Sequence, residues 1–187
     1  MKIYKPTSAG RRDATVIEYK KYLSSNRSKP VKALTKGKRS TGGRNSQGRT
    51  TQLYRGGGNK RTYRMIDFSY NKKNIEARIE TIEYDPNRTG FIACALYKDG
   101  ERRYILVPQT LAVGDTFIVS DEARPKVGNR LPLGKIPAGT KIYAVELKPN
   151  GGARIARSAG NYAEVVAQDG AFTLVKLPSS EIRKVTA

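Results

Sequence analysis

Histidine is absent from all 187 residues, so no His-based triad, proton shuttle or metal site exists in this chain. There is one cysteine, Cys94, which excludes a disulfide framework and a Cys-based zinc site within the chain. Cys94 sits in the apolar run FIACALY and is expected to be a buried structural thiol. The lack of cysteine pairs fits a reducing compartment. No apolar stretch approaches the ~18–20 residues that span a bilayer, and MKIYKPTSAG has no apolar signal core. No membrane partner and no secretory signal are therefore expected. Acid is nearly missing from the first third: residues 1–64 carry 18 basic groups against Asp13 and Glu18, and none of 19–66 is acidic.

The charge that remains is strongly one-sided. The whole chain is at +20, of which 1–64 hold +16 and 65–187, with 18 basic and 14 acidic groups, hold +4. This asymmetry describes a basic arm attached to a nearly balanced globular part. The core of the arm is KGKRSTGGRNSQGRTTQLYRGGGNKRTYR, residues 36–64. It has nine basic groups (Lys36, Lys38, Arg39, Arg44, Arg49, Arg55, Lys60, Arg61, Arg64), seven glycines and no acid. Leu53, Tyr54 and Tyr63 are its only sizeable apolar groups. Such a segment buries too little to offset the entropy of ordering it. It is expected to be mobile alone and to order against a source of negative charge. The run Gly56, Gly57, Gly58 lets backbone approach a surface closely, and arginine forks match phosphate oxygens. The glycine content argues against the amphipathic helix that a membrane surface would need. The partner expected on chemical grounds is nucleic acid.

Beyond the arm the patterning is of strands. TVIEYKKYL fits a short strand or one turn of helix. In TYRMIDFSYNK the apolar phase shifts after Met65, which suits a strand with a bulge. Ile75, Ala77, Ile79 and Thr81 alternate with charged residues, and Asp85-Pro86-Asn87 marks a turn. FIACALY and RRYILVP flank an Asp-Gly hairpin turn, and TFIVS adds a strand, so residues 62–120 should hold about five. In the second half Lys141–Leu147 is expected as a strand with Tyr143, Val145 and Leu147 on one face. YAEVVAQ, AFTLVKL and EIRKV complete it around the turn at Asp169-Gly170. Short strands at this spacing favour two small barrels, each with a modest core.

Catalysis finds no support. The acids sit in turns (Asp85, Asp99, Asp115, Asp169) or alternate on strand faces (Glu76, Glu80), which hairpin formation and cross-strand pairing explain. No Gly-x4-Gly-Lys-Ser/Thr run occurs. The chain is expected not to be an enzyme and to need no cofactor and no metal. Nucleic-acid binding draws on the arm, on Tyr54 as a ring to stack on a base, and on Arg154 and Arg157 in GGARIARSAG. Packing at the junction of arm and barrel competes for Tyr54 and is favoured for Tyr63. A plain loop with solvated arginines competes for 151–160. A free-standing single- or double-strand binder stays open on these residues alone.

Three ordered blocks add a resemblance: GGRNSQGRTTQLYRGGGNKRTYR, then IEYDPNRTGFIACALYKDGERRYIL, then VGNRLPLGKIPAGTKIYAVELKPNGGARIARSAGNYAEVVAQDG. Together they resemble the family of universal large-subunit ribosomal protein number two, of bacterial or organellar type, over nearly the whole chain. The resemblance implies an all-β chain with an OB-type barrel followed by an SH3-like barrel and a long basic N-terminal arm. The divisions are 1–61 for a largely extended arm, 62–123 for the first barrel and 124–187 for the second. It implies a structural constituent of the large ribosomal subunit, in a cytoplasmic bacterial or an organellar ribosome. Its implied partners are large-subunit rRNA, other large-subunit proteins and the small subunit at the bridge region. Implied roles are assembly of the peptidyl-transferase region and support of subunit association. By match, Arg44, Arg49, Arg55, Lys60, Arg61, Arg64, Arg154 and Arg157 carry over as RNA contacts. Two departures stand out. Tyr54 and Asn59 occupy places beside the GGG run where the family usually has histidine. The family's C-terminal extension, rich in Gly and His, has no counterpart here, so its role at the peptidyl-transferase centre does not carry over.

Overall fold

A computed structural model describes residues 1–23, 29–56 and 58–186. Gly57, one of the expected contacts, lies outside the described residues. The N-terminal third begins with a two-stranded ladder of β1 (Lys2–Ile3) and β2 (Thr15–Val16). A single helical turn, α1 (Tyr19–Tyr22), follows, so TVIEYKKYL supplies both a strand and a turn of helix. Tyr19 meets Tyr84 edge-on at 5.5 Å between centroids, and Tyr22 stacks on Phe91 at 6.3 Å. These ring contacts seat α1 on the first barrel. Next, β3 (Thr35–Lys38) and β4 (Arg61–Arg64) pair antiparallel and bring the two ends of the Gly/Arg segment together.

The first barrel is built on β5 (Ala77–Glu83), β6 (Ile92–Tyr97), β7 (Arg102–Leu106) and β8 (Thr116–Phe117), in sheet order β7-β6-β5-β8. With β4 they make five strands between 61 and 117, as the patterning predicts. The β6–β7 hairpin closes where Asp99-Gly100 stands. Gly100 adopts φ 85°, and the Gly100 N–H donates to Tyr97 O at 2.9 Å. The continuous apolar run of β6 is buried from Ile92 to Ala95 and again at Tyr97, and Leu23, Val31 and Leu34 of the N-terminal third pack against the cluster it belongs to. Two details depart from simple alternation. In β5 the register with β6 slips between Ile79 and Thr81, so Glu80 is the extra residue of a bulge. The buried phase therefore runs through Ala77 and Ile79, then through Ile82 and Glu83. The bulge expected in 63–70 does not form. The strand ends at Arg64 instead, Ile66 makes one parallel bridge to Tyr104, and the Asp67 carboxyl group accepts from the Ser69 and Tyr70 amides.

The second barrel holds β9 (Lys141–Ile142), β10 (Ala163–Asp169), β11 (Phe172–Lys176) and β12 (Ile182–Thr186), in sheet order β12-β11-β10-β9. Val145, Ala156, Ala163, Val175 and Val185 form its small core. The strand expected over 141–147 is cut to two residues. Ala144 takes φ 52°, which no strand accommodates, and its N–H donates to Ala156 O at 3.1 Å. Past that kink Val145 bridges Ile155 and faces the second core, while Tyr143 packs against both. The chain is thus nearly all-β, two curled antiparallel sheets of OB-type and SH3-like architecture in sequence. Among the described residues no helix is long and apolar enough to cross a membrane.

The two barrels share packing. Ala144 and Ala153 of the second belong to the buried cluster of the first. Arg130 lies 4.3 Å above the Tyr70 ring and donates to Ala144 O at 3.2 Å and to Glu146 at 2.5 Å. The Ala153 N–H donates to Phe68 O at 2.8 Å. That close approach requires Gly152, at φ 73°, where an added Cβ would stand 3.3 Å from the Phe68 carbonyl oxygen.

Candidate nucleic-acid interface

The Gly/Arg segment folds back on itself in nested turns above the β3–β4 ladder. Asn45 organises the outer turn: its Oδ1 accepts from the Gln47 and Arg49 amides, both at 3.0 Å, and its N–H donates to Arg49 O. Arg44 and Thr50 bridge below it. The Gly43 carbonyl accepts from the Thr51 and Gln52 amides at 3.0 and 3.2 Å. Gly43 is required there, at φ 78°, because an added Cβ would stand 2.2 Å from the Gln52 carbonyl oxygen.

These turns push the charged side chains outward. Lys36, Lys38, Arg39, Arg44, Arg49, Arg55, Lys60 and Arg61 are all exposed, as are Gly56 and Gly58, while Arg64 is half-buried and donates to Thr62 O. On the ladder, Lys38 stands directly opposite Arg61. Like charges in that position repel. Every ion pair among the described residues falls between 67 and 184, so no described basic group of 1–64 is paired with a described acid. The barrels do the reverse. Lys72 reaches Asp99 and Glu101, Arg103 pairs with Asp67 at 2.7 Å, and Arg102 holds Glu80 through two bonds. One part of the chain is self-compensated and the other is a bare cationic surface.

The two tyrosines of the segment both stand outside a core. Tyr54 has φ 58° and is fully exposed, which removes the junction-packing alternative and leaves its ring faces open. Tyr63, for which core or junction packing is the expectation, is 38 % exposed on the ladder across from Lys36. The alternation of β4 places it on the outer face with Lys36, Lys38 and Arg61 rather than inward.

The 151–160 loop supplies a second basic element. Arg154 is exposed. Arg157 lies over the Phe68 ring at 4.8 Å and reaches Ala153 O at 3.5 Å. The structure adds a partner that the sequence did not single out. Arg88 approaches the same Phe68 ring at 5.8 Å, so two guanidinium groups from different barrels gather on one aromatic. The only early sign of it is its place three residues after Asp85 in the turn. Asp85 is fully buried and accepts from Arg88 Nε at 2.6 Å and from the Asn87 N–H at 2.9 Å. Burial pushes its carboxyl up, but the bonds from Arg88 and Asn87 outweigh that and hold it below the ordinary aspartate value. The same turn touches the arm and the second barrel: Asn87 Nδ2 donates to Thr62 O at 2.7 Å, and the Ala159 N–H donates to Thr89 Oγ1 at 3.2 Å. Guanidinium groups fixed in this way present planar donors to an anion, which suits phosphate more than any reaction chemistry.

Comparison with known proteins points the same way. The model of the family described as Ribosomal Proteins L2, RNA binding N-terminal domain, matches residues 31–120, and that of Ribosomal Proteins L2, C-terminal domain, matches 126–187. Large ribosomal subunit protein uL2 of Roseobacter denitrificans is 49% identical over 185 residues, covering 99% of this chain and 65% of its own. That of Granulibacter bethesdensis is 48% identical over 187 residues, covering 100% and 67%. That of Hyphomonas neptunium is 50% identical over 185 residues, covering 99% and 66%. The chain spans about two thirds of the length of these relatives.

Proposed function

Given that this chain belongs to the uL2 family of large ribosomal subunit proteins, we propose that it is a structural constituent of the large ribosomal subunit that binds large-subunit rRNA. In this reading it is not an enzyme and works in the ribosome, of bacterial or organellar type, beside other large-subunit proteins. The observation that carries the proposal is the set of exposed basic groups in 36–64 that no acid among the described residues neutralises. Phosphate is the counter-charge that such a surface lacks, and displaced counterions supply the driving force. Residues 1–61 act as the arm, which settles among phosphates. The barrels, 62–123 and 124–187, present a fixed shape to folded RNA. Lys36, Lys38, Arg39, Arg44, Arg49, Arg55, Lys60, Arg61 and Arg64 contact phosphate, with Arg154, Arg157 and Arg88 on the barrel side. Tyr54 offers a free ring to an unstacked base, and the 56–58 glycines let backbone lie close to the RNA.

Binding of this kind supports assembly of the peptidyl-transferase region and association with the small subunit at the bridge region. The test is sedimentation of a tagged chain with ribosomal particles through a high-salt sucrose gradient. Stable migration with the large subunit is expected. Recovery at the top of the gradient, with binding to unrelated RNA intact, would mean a free-standing nucleic-acid binder instead.

A further inference from the structure

Three separate stretches meet at the 84–90 turn, and one buried side chain organises the meeting. Asp85 has no exposed surface, yet it lies in a chain of net charge +20 at the edge of its basic face. A carboxyl group there repels a polyanion, so an RNA-binding surface gains nothing from its charge alone. Its bonds give it another use. Oδ2 takes the Nε of Arg88 at 2.6 Å, leaving the two terminal nitrogens of that guanidinium for a ligand. Oδ1 takes the Asn87 N–H at 2.9 Å and its Nδ2 at 3.1 Å, and the same Nδ2 reaches Thr62 O on β4 at 2.7 Å. Two residues beyond Asn87, Thr89 accepts the Ala159 amide of the second barrel.

We propose that Asp85 is a positioning residue for RNA binding, holding Arg88 and Asn87 so that the base of the arm, the 84–90 turn and the 151–160 loop form one continuous basic face. The inference rests on the RNA-binding reading above. It makes a prediction opposite in sign to simple electrostatics. Removing a negative charge beside a polyanion site should tighten binding. Removing a positioning residue should weaken it, because Arg88 loses its fixed direction.

The experiment is a salt titration of binding to deproteinised bacterial large-subunit rRNA, with wild type, Asp85→Asn, Arg88→Ala, Arg88→Lys and the Asp85→Asn/Arg88→Ala pair. Asp85→Asn is expected to bind about eightfold more weakly at 0.1 M salt and to lose about one unit of salt slope, one phosphate contact on the duplex-DNA scale. Arg88→Ala should do the same, and the pair should add little to either, since both remove one contact. A mere loss of folded protein lowers the active fraction and leaves the slope alone. Arg88→Lys keeps the charge but loses the fork held by Asp85, so it should resemble Arg88→Ala. It decides the matter should Asp85→Asn fail to fold. Wild-type slope and equal or tighter binding in Asp85→Asn, or wild-type behaviour in Arg88→Lys, would overturn the positioning role. Weak, salt-independent binding by the wild type would instead overturn the RNA-binding reading itself.

Discussion

Replacing Tyr104 by Phe removes one oxygen from the place where the arm's base is fastened to the first barrel. The ring is completely buried on β7, and its hydroxyl donates to Glu83 at 2.9 Å while accepting from the Val31 N–H at 2.8 Å. Burial pushes the hydroxyl well above the ordinary tyrosine value, so it keeps its proton and its role as donor. Phenylalanine fills the same space and leaves no cavity, so the loss is polar only. Glu83 keeps its bond from Thr81 Oγ1 at 3.0 Å but loses the second donor, and the Val31 amide is left without an acceptor. A lost hydrogen bond to a carboxyl group and a half-buried amide left unpaired together cost about 3 kcal/mol. For a chain of this size that lowers Tm by roughly 6–12 °C. Differential scanning calorimetry measures the shift, and hydrogen exchange at Val31 and Met65 should accelerate with it, since Met65 donates to Leu34 O just beyond the fastening. A Tm within about 1 °C of wild type, with Val31 exchange unchanged, would refute the account of how the arm's base is held.

Gly43→Ala forces a Cβ to within 2.2 Å of the Gln52 carbonyl and costs about 1–2 kcal/mol for the left-handed backbone alone. The Thr51 and Gln52 amides should then lose their hydrogen-bonded temperature coefficients in NMR spectra while the barrels melt as before. Arg130→Met leaves Glu146 half-buried without its partner and removes the cation from the Tyr70 ring. A destabilisation of about 2 kcal/mol, below the cost of breaking a fully buried pair, should appear in urea unfolding. The Cys94 thiol, buried on β6 with its pKa pushed up to about 12 chiefly by burial, should resist a thiol reagent at pH 8 and react at once in denaturant.

Much of the fold was legible because its signals are local. Asp99-Gly100 and Asp169-Gly170 stand where the hairpins turn, and the runs around β6, β7, β10 and β11 are apolar over strand lengths. The errors lie where a single backbone choice overrides a pattern. Ala144 at φ 52° ends a strand that alternation carries to Leu147, and the extra residue at Glu80 flips the buried phase of β5. Nothing in the identity of an alanine or a glutamate announces either. The basic segment was legible as charge, since none of 19–66 is acidic. Arg88 was not, because its meeting with Arg157 depends on two barrels packing around Phe68, a contact across about 70 residues that no local pattern encodes. Asp85 likewise shows itself as a turn residue in Asp-Pro-Asn, and only its complete burial marks it as an organiser of the turn.

Arg49, Arg55 and Arg61 are exposed, and their guanidinium groups have no partner among the described residues. If they exist to meet ribosomal phosphates, converting all three to alanine should flatten the salt dependence of large-subunit rRNA binding by about two to three units of slope while the barrels stay folded. A slope equal to that of the wild type would contradict the claim that bare cations of this segment find their counter-charge in RNA.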